Sequence, residues 1–250
     1  MRLAYQCAST FRITDYLGGC NGARIRLSPQ KDWPQNAGLY HALELLDGVK
    51  REFGEALSWA DLIVLSGNVA LEKAGGRAMP FCGGRTDATE GTKSDTFLKP
   101  RVTGGSEDKI EIVKDYARVM GMTLTEYAAL HGRLALGKLT SFDGARTASP
   151  TKLSHTFFTT LLKETWTEDC KMGSDCVFKA DGKDLYMEPA DLFFKTDPEL
   201  LAISQKFASD DEFFLDELSA AWTKLMTADR FDGPTGNVCD ARDPQVQQLS

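Results

Sequence analysis

This chain of 250 residues lacks both long hydrophobic runs and an excess of positive charge. No apolar stretch reaches the roughly 18 residues that a membrane-spanning helix requires, so we expect no membrane span. The formal net charge is −7, which gives no general reason to expect binding to nucleic acid or to an anionic membrane. We therefore expect a soluble protein, in a compartment that the sequence does not indicate.

Common metal-binding and catalytic motifs are also missing. The six cysteines are scattered and none forms a CxxC pair, which argues against a zinc site. Cys170 and Cys176 are the one close pair. A disulfide between them is one alternative, but free thiols in a reducing compartment are the expected state. The chain has no phosphate-binding loop, no GxSxG and no HExxH, so generic motifs indicate no function.

The segment 58–72, which reads SWADLIVLSGNVALE, has the strongest helical pattern. Ser58 is a natural N-cap, and the acidic Asp61 favours the positive end of the helix dipole. Apolar residues point in every direction around the axis, namely Leu62, Ile63, Val64, Leu65, Val69 and Leu71. A helix that is apolar all round is buried all round, so we predict that this helix forms the centre of the core.

Other patterns predict a mainly α protein with one small β-hairpin. Apolar residues at three-and-four spacing predict an amphipathic helix with one buried face over 39–53. Thr123 and Glu126 form a capping box that opens a short helix ending at Gly132. Asp181-Gly182 is typical of a hairpin turn. Further helices are predicted over 110–120 and 154–164, from Pro198, and after a second capping box at Ser209 and Glu212.

The domain organisation follows from where apolar residues stop. We predict one domain over residues 1–231 and a C-terminal tail over 232–250, which has little apolar content and should be ordered only if it docks. Arg2 already lies in helical pattern, so we expect part of the first helix to be missing upstream. That loss should leave apolar surface near residues 2–8, and exposed apolar surface usually marks an interface.

Several separated stretches together resemble the plant-type haem peroxidase family, and most closely the C-terminal domain of catalase-peroxidases. Their order agrees with the family and they span residues 2–231. The resemblance implies a mainly helical haem-peroxidase-like fold. The stretches are STFR at 9–12, GGCNGARIRL at 18–27, PQKDW at 29–33, NAGL at 36–39, the helix at 58–72, GRTDAT at 84–89, AWTK at 221–224 and DRF at 229–231.

The resemblance also implies where a distal haem site would lie. Active members carry Arg-x-x-Trp-His, in which the histidine moves a proton of hydrogen peroxide and the arginine stabilises charge. This chain keeps Arg2 but has Tyr5 in place of the tryptophan and Gln6 in place of the histidine. A glutamine amide does not titrate near neutral pH, so general acid–base catalysis is lost. Asn36 matches the asparagine that orients the histidine, and here we expect it to pair with Gln6.

On the proximal side, the family binds iron through the histidine of a Gly-Gly-His or Gly-Ala-His sequence. The corresponding stretch is 130–137, LHGRLALG, which places Arg133 or Leu134 at the ligand position. A guanidinium is not a plausible iron ligand. His131 lies about half a helical turn away and should face elsewhere, although it is the alternative haem ligand. Asp191 matches the aspartate that normally partners the ligand, and we expect it to pair with Arg133 instead.

Three functional hypotheses remain open. The first is a haem-free, catalytically silent domain with a structural or assembly role, with an active peroxidase domain or a larger complex as its protein partner. It needs no cofactor and no metal. The second is a haem-dependent peroxidase with an altered pocket, which would reduce hydrogen peroxide. The third and weakest is a thiol-based redox module built on Cys170 and Cys176.

Overall fold

The computed structural model describes residues 1–99, 110–137, 144–170, 176–231 and 236–239. Helices dominate this part of the chain, which confirms the prediction of a mainly α protein. They are α1 (Arg2–Ala8), α2 (Tyr40–Phe53), α3 (Trp59–Lys73), α4 (Ile110–Val119), α5 (Leu124–Gly132), α6 (Thr156–Lys163), α7 (Phe193–Thr196), α8 (Pro198–Ser209) and α9 (Asp211–Thr227).

One small antiparallel sheet accompanies the helices, with strand order β1-β2-β3. The strands are β1 (Trp166–Asp169), β2 (Val177–Ala180) and β3 (Tyr186–Met187). The hairpin between β2 and β3 turns at residues 181–182, where Gly182 takes a φ of 70° that favours glycine. This is the hairpin that the sequence predicts, and β1 adds a further strand to it.

Contacts divide the chain into two compact units. The first comprises Met1–Ala70, Met79–Pro100 and Thr223–Ser250, and the second comprises Leu71–Ala78 and Arg101–Trp222. No helix in the described ranges combines the length and apolarity that crossing a bilayer would require. The boundary between a domain over 1–231 and a tail over 232–250 stays a prediction, and most of that tail lies outside the described residues.

The first unit is built around the start of α3. The Ser58 side chain accepts a hydrogen bond from the Asp61 amide at 3.0 Å, as its role as N-cap predicts. Leu62, Ile63 and Val64 are at most 3% exposed. Val69 is 45% exposed, so the prediction of burial on all sides is wrong towards the end of the helix. A single apolar residue at the surface is common in folded proteins.

An ion cluster joins three segments of the first unit. The Arg85 guanidinium lies 3.0 Å from Asp61 and 3.1 Å from Asp229, and its side chain is fully buried. Asp61 also accepts the backbone amide of Gly84 at 2.7 Å. Asp87 accepts the amides of the first two residues of α3, at 2.8 and 3.0 Å. The stretch GRTDAT therefore supplies both a buried cation and a helix cap.

Two predictions about exposed and buried faces are wrong. Five of the seven residues of α1 are buried, because the segments 24–26 and 34–36 pack against that helix, so no apolar surface is left there. By contrast, no residue of α2 is buried, and Leu45, Val49 and Phe53 are 84%, 38% and 52% exposed. A periodic pattern indicates that a helix has an apolar face but not whether the same chain covers it.

The cysteines are paired, so the expectation of free thiols is wrong. All six form disulfides, namely Cys7–Cys20, Cys82–Cys239 and Cys170–Cys176. The partners are 13 residues apart in Cys7–Cys20 and 157 residues apart in Cys82–Cys239, and spacing alone does not indicate either pair. Cys239 anchors the described part of the tail, and the Asn237 side chain also donates to the carbonyl of Thr227 at 2.7 Å.

Candidate functional site

The proximal residues of the resemblance all lie in the second unit, beginning with the end of α5. The predicted capping box opens this helix, since the Thr123 hydroxyl accepts the Glu126 amide at 3.2 Å and Glu126 accepts the Thr123 amide at 2.7 Å. The helix ends at Gly132, where any added Cβ would lie 2.5 Å from the ring of Phe214. This close packing places His131, which is 8% exposed, at the buried end of the helix.

Asp191 reaches the same region from a tight turn that follows β3. Pro189 begins the turn, and the Asp191 carboxylate accepts the backbone amide of Glu188 at 2.8 Å. The Asp191 residue is 0% exposed. Its carboxylate therefore needs a buried partner, because an unpaired charge in a protein core is costly.

That partner is not Arg133, so the predicted pair is wrong. Asp191 Oδ1 lies 2.6 Å from His131 Nε2, and Asp191 Oδ2 accepts from Arg146 Nε at 2.7 Å. Arg146 also donates to Glu188 at 2.6 Å. The guanidinium of Arg133 donates instead to the backbone carbonyl of Leu130, one turn earlier.

Arg146 is the residue that sequence reasoning missed. A backbone bond places it, because the Tyr186 amide donates to the Ala145 carbonyl at 2.9 Å, next to the turn that carries Glu188 and Asp191. The sequence does indicate that a buried Asp191 needs a cation. It does not indicate which arginine supplies it, since Arg146 is 45 residues away along the chain.

The expectation that His131 faces away from the proximal site is also wrong. Its ring stacks on Phe194 at 4.3 Å between centroids and meets the edge of Phe157 at 5.4 Å. Together with Asp191, these rings fix its orientation. His131 is thus a packed core residue that contacts the proximal aspartate, although it sits two positions before the family's ligand position.

The electrostatics of this network follow from burial and from the arginine. Burial would raise the pKa of Asp191, but the charge of Arg146 and the hydrogen bonds from His131 and Arg146 outweigh it and lower the pKa to about 2. Burial lowers the pKa of His131 below its ordinary value of 6.5, and the nearby carboxylate does not reverse this. The histidine is therefore neutral, donating from Nε2 to an ionised Asp191.

These shifts predict acid sensitivity in two steps. Both folded-state pKa values lie below the unfolded values, so the unfolded chain binds more protons and stability falls as the pH falls. His131 contributes the step below pH 6.5, and Asp191 contributes about 2 kcal/mol that is lost between pH 3.8 and about pH 2. Urea unfolding from pH 7 to pH 5 should show a flatter profile for His131→Gln than for the exposed control His41→Gln. The opposite order would contradict the assignment.

The distal residues lie in the first unit. Arg2 donates to the carbonyl of Gln35 at 2.7 Å, and Tyr5 is buried. Asn36 donates from its side chain to the carbonyl of Gln30 at 2.8 Å. Neither Asn36 Oδ1 nor Gln6 Oε1 has a hydrogen-bond partner within the described ranges, so the predicted pair of Gln6 and Asn36 is wrong. The Asn36 amide instead closes its own local segment.

This donor set does not fit the haem centre that the family implies. By the resemblance the ligand position carries Arg133 or Leu134, and neither a guanidinium nor an aliphatic side chain can coordinate iron. Both oxygens of Asp191 and the Nε2 atom of His131 are engaged with each other and with Arg146. At the distal position Gln6 supplies no group that could take up a proton near neutral pH. The proximal residues can hold buried charge, but they do not present the family's iron ligand.

Comparison with known proteins agrees with the fold. The family model described as Peroxidase matches residues 1–210. The catalase-peroxidase of Mycosarcoma maydis is 39% identical, over 96% of this chain and 36% of that protein. Catalase-peroxidase 2 of Legionella pneumophila (strain Lens) is 36% identical over 95% of this chain, and the catalase-peroxidase of Leptospira biflexa serovar Patoc (strain Patoc 1 / Ames) is 37% identical over 93%, each match covering 36% of the relative.

The chain therefore belongs to the peroxidase family. It is similar to catalase-peroxidases over nearly its whole length, and it spans about a third of the length of these relatives.

Proposed function

We propose that this chain is a haem-free, catalytically silent member of the peroxidase family with a structural role. The observation that carries the proposal is the closed network in which Arg146 and His131 occupy both oxygens of Asp191. In an active member that aspartate partners the iron ligand. Here a buried arginine balances its charge, which removes the need for a metal-bound partner.

The distal residues support a silent site for a separate reason. Peroxide cleavage needs a group that accepts and returns a proton, and such a group contributes about 10²–10⁴-fold to the rate. Gln6 cannot supply this step. Within the described part of the chain, neither Gln6 Oε1 nor Asn36 Oδ1 has a hydrogen-bond partner, unlike a preorganised pair in which a hydrogen bond would fix each polar group.

The proposed role is to support a partner. The relatives are about three times as long as this chain, which corresponds by resemblance to the C-terminal domain of catalase-peroxidases. In that setting the domain would stabilise an active peroxidase domain, either within one polypeptide or as an accessory subunit of a larger complex. The exposed ridge Leu45, Val49 and Phe53 on α2 supports a protein partner, because apolar ridges of this kind often mark interfaces.

One observation favours the alternative, a haem-dependent peroxidase with an altered pocket. His131 is neutral and donates from Nε2 to Asp191, and a carboxylate bonded to a histidine in this way is common behind metal-ligating histidines. The second ring nitrogen, Nδ1, would then be the donor available to iron. This makes His131 the first ligand to test.

A haem titration separates the two functions. We expect the purified chain to give no stoichiometric Soret band, and peroxide turnover on the same samples to stay at the level of free haem. His131→Gln should change neither result, and His41→Gln serves as the matched control. Tight one-to-one haem binding that His131→Gln abolishes and His41→Gln preserves would overturn the haem-free proposal and establish the alternative.

A further inference from the structure

The β1–β2 ladder brings three potential metal ligands to one face of the sheet. Asp169 pairs with Val177 in this antiparallel ladder, so the next residues outward, Cys170 and Cys176, lie opposite each other. Glu168 is two residues before Cys170, and side chains two apart on a strand point to the same face. One carboxylate oxygen and the two sulfur atoms lie within 4.8 Å of one another.

We propose that this group is a redox-controlled binding site for a thiophilic divalent cation such as Zn²⁺. In the oxidised chain the two sulfurs are bonded to each other and unavailable. In the reduced chain Cys170, Cys176 and Glu168 supply two thiolates and a carboxylate, and water completes a four-coordinate shell. Zinc accepts this ligand set, with bonds of about 2.3 Å to sulfur and about 2.0–2.2 Å to oxygen.

Solvent exposure sets this disulfide apart from the buried bridge in the first unit. Glu168 and Cys170 are exposed and Cys176 is half-buried. Cys7 and Cys20 are only 1% and 0% exposed. Thiol–disulfide exchange requires access of a thiolate to a sulfur atom, so the Cys170–Cys176 bridge should react before the Cys7–Cys20 bridge. The site shares no residue with the network of His131, Asp191 and Arg146.

The chemistry balances with a thiol reductant. Two equivalents of a small thiol deliver two electrons and two protons to the Cys170–Cys176 bond, giving two protein thiols and one small-molecule disulfide. Zn²⁺ then forms two Zn–S bonds and releases the two thiol protons, since metal ligation requires thiolates. A small-molecule disulfide reverses the step by thiol–disulfide exchange: it takes two electrons from the thiolates, the Cys170–Cys176 bond reforms, two small-molecule thiols leave after taking up two protons, and the cation is released.

The test uses the full chain, reduced without oxygen by a phosphine that does not compete for metal, and titrated with Zn²⁺ or with Co²⁺ as a spectroscopic probe. We expect the reduced wild-type chain to bind one more cation than Cys170→Ser/Cys176→Ser treated identically, with a sulfur-to-cobalt charge-transfer band. The oxidised chain should bind none at this site. The double variant is the baseline because it cancels any cation held by thiols from the other two bridges.

Glu168→Gln tests the carboxylate, and Asp184→Asn is its matched control, because it makes the same charge change at an exposed position in the same sheet region. We expect Glu168→Gln to weaken binding by about tenfold or more, since even groups that only support a metal ligand are worth about 10–100-fold. Asp184→Asn should leave affinity unchanged. Equal binding by the reduced chain and the double cysteine variant, or equal affinities of Glu168→Gln and Asp184→Asn, would overturn the site.

Discussion

Replacing Arg146 with methionine should lower the free energy of unfolding by about 3–5 kcal/mol, because it leaves the buried Asp191 carboxylate without its cation. Arg146 donates to Asp191 at 2.7 Å and to Glu188 at 2.6 Å, and its side chain is 4% exposed. Methionine keeps much of the length and apolar volume, so the loss reports the charge rather than a cavity. The measurement is urea unfolding at pH 7, in which the midpoint of the variant is compared with that of the wild-type chain.

An exposed arginine of the same unit provides the control. Arg77 pairs with Glu212 and with Asp216, but the three side chains are 38%, 74% and 66% exposed. Exposed pairs are worth about 0–1 kcal/mol, so Arg77→Met should shift the midpoint little. Similar losses for Arg77→Met and Arg146→Met would show that the buried network does not stabilise this unit.

Coupling within the network can be measured separately. Asp191→Asn should also be strongly destabilising, because it leaves Arg146 with Glu188 alone and weakens the acceptor of His131. The double variant Asp191→Asn/Arg146→Met should lose less than the sum of the single losses, since residues in one ion-pair network are not independent. Strictly additive losses would mean that the two charges do not interact.

The sequence predicts the fold better than it predicts the site. Local signals identify helices well, as Ser58, Thr123 and Asp197 show by capping the helices that the pattern assigns to them. The prediction fails at the second capping box, because Asp210 rather than Ser209 accepts the amide of Phe213 at the start of α9. Either side chain could cap from its sequence position, and tertiary context decides between them.

Residues of the candidate site could be assigned from resemblance, but their partners could not. Asp191 is found because a motif surrounds it, whereas Arg146 is brought to it by a backbone contact between distant segments. His131 illustrates the same limit. Half a helical turn separates it from the ligand position, yet its side chain still reaches Asp191. Long-range pairing of this kind is set by tertiary structure, which the spacing of residues does not encode.

The cysteines show the limit most clearly. Spacing favours only Cys170–Cys176, six residues apart, while Cys82 and Cys239 are 157 residues apart. The three bridges add stability that the sequence does not indicate.

Disulfides persist in oxidising compartments, so the native chain should show no free thiol on alkylation without prior reduction.

Removing the Cys82–Cys239 bridge should destabilise the protein more than removing either other bridge. A disulfide restricts the unfolded chain, and the restriction grows with the length of the closed loop. Separations of 157, 13 and 6 residues correspond to about 5, 3 and 2 kcal/mol for Cys82–Cys239, Cys7–Cys20 and Cys170–Cys176. The three paired cysteine-to-alanine variants, compared by urea unfolding, should follow this order.

The variants also separate loop entropy from lost packing. Cys7 and Cys20 are more deeply buried than Cys82. If the loss of stability came from removing buried sulfur atoms, it would therefore be largest for the Cys7–Cys20 variant. A loss governed by the unfolded chain would be largest for the Cys82–Cys239 variant. In the folded chain, the Asn237 side chain also ties the segment 236–239 to Thr227 at the end of α9. Full reduction with excess phosphine provides a second comparison. It breaks every remaining bridge, so the differences in stability that come from loop closure should then disappear. If the Cys7–Cys20 variant is the least stable, or if Cys82–Cys239 contributes no more than Cys170–Cys176, the long bridge does not act through the unfolded state.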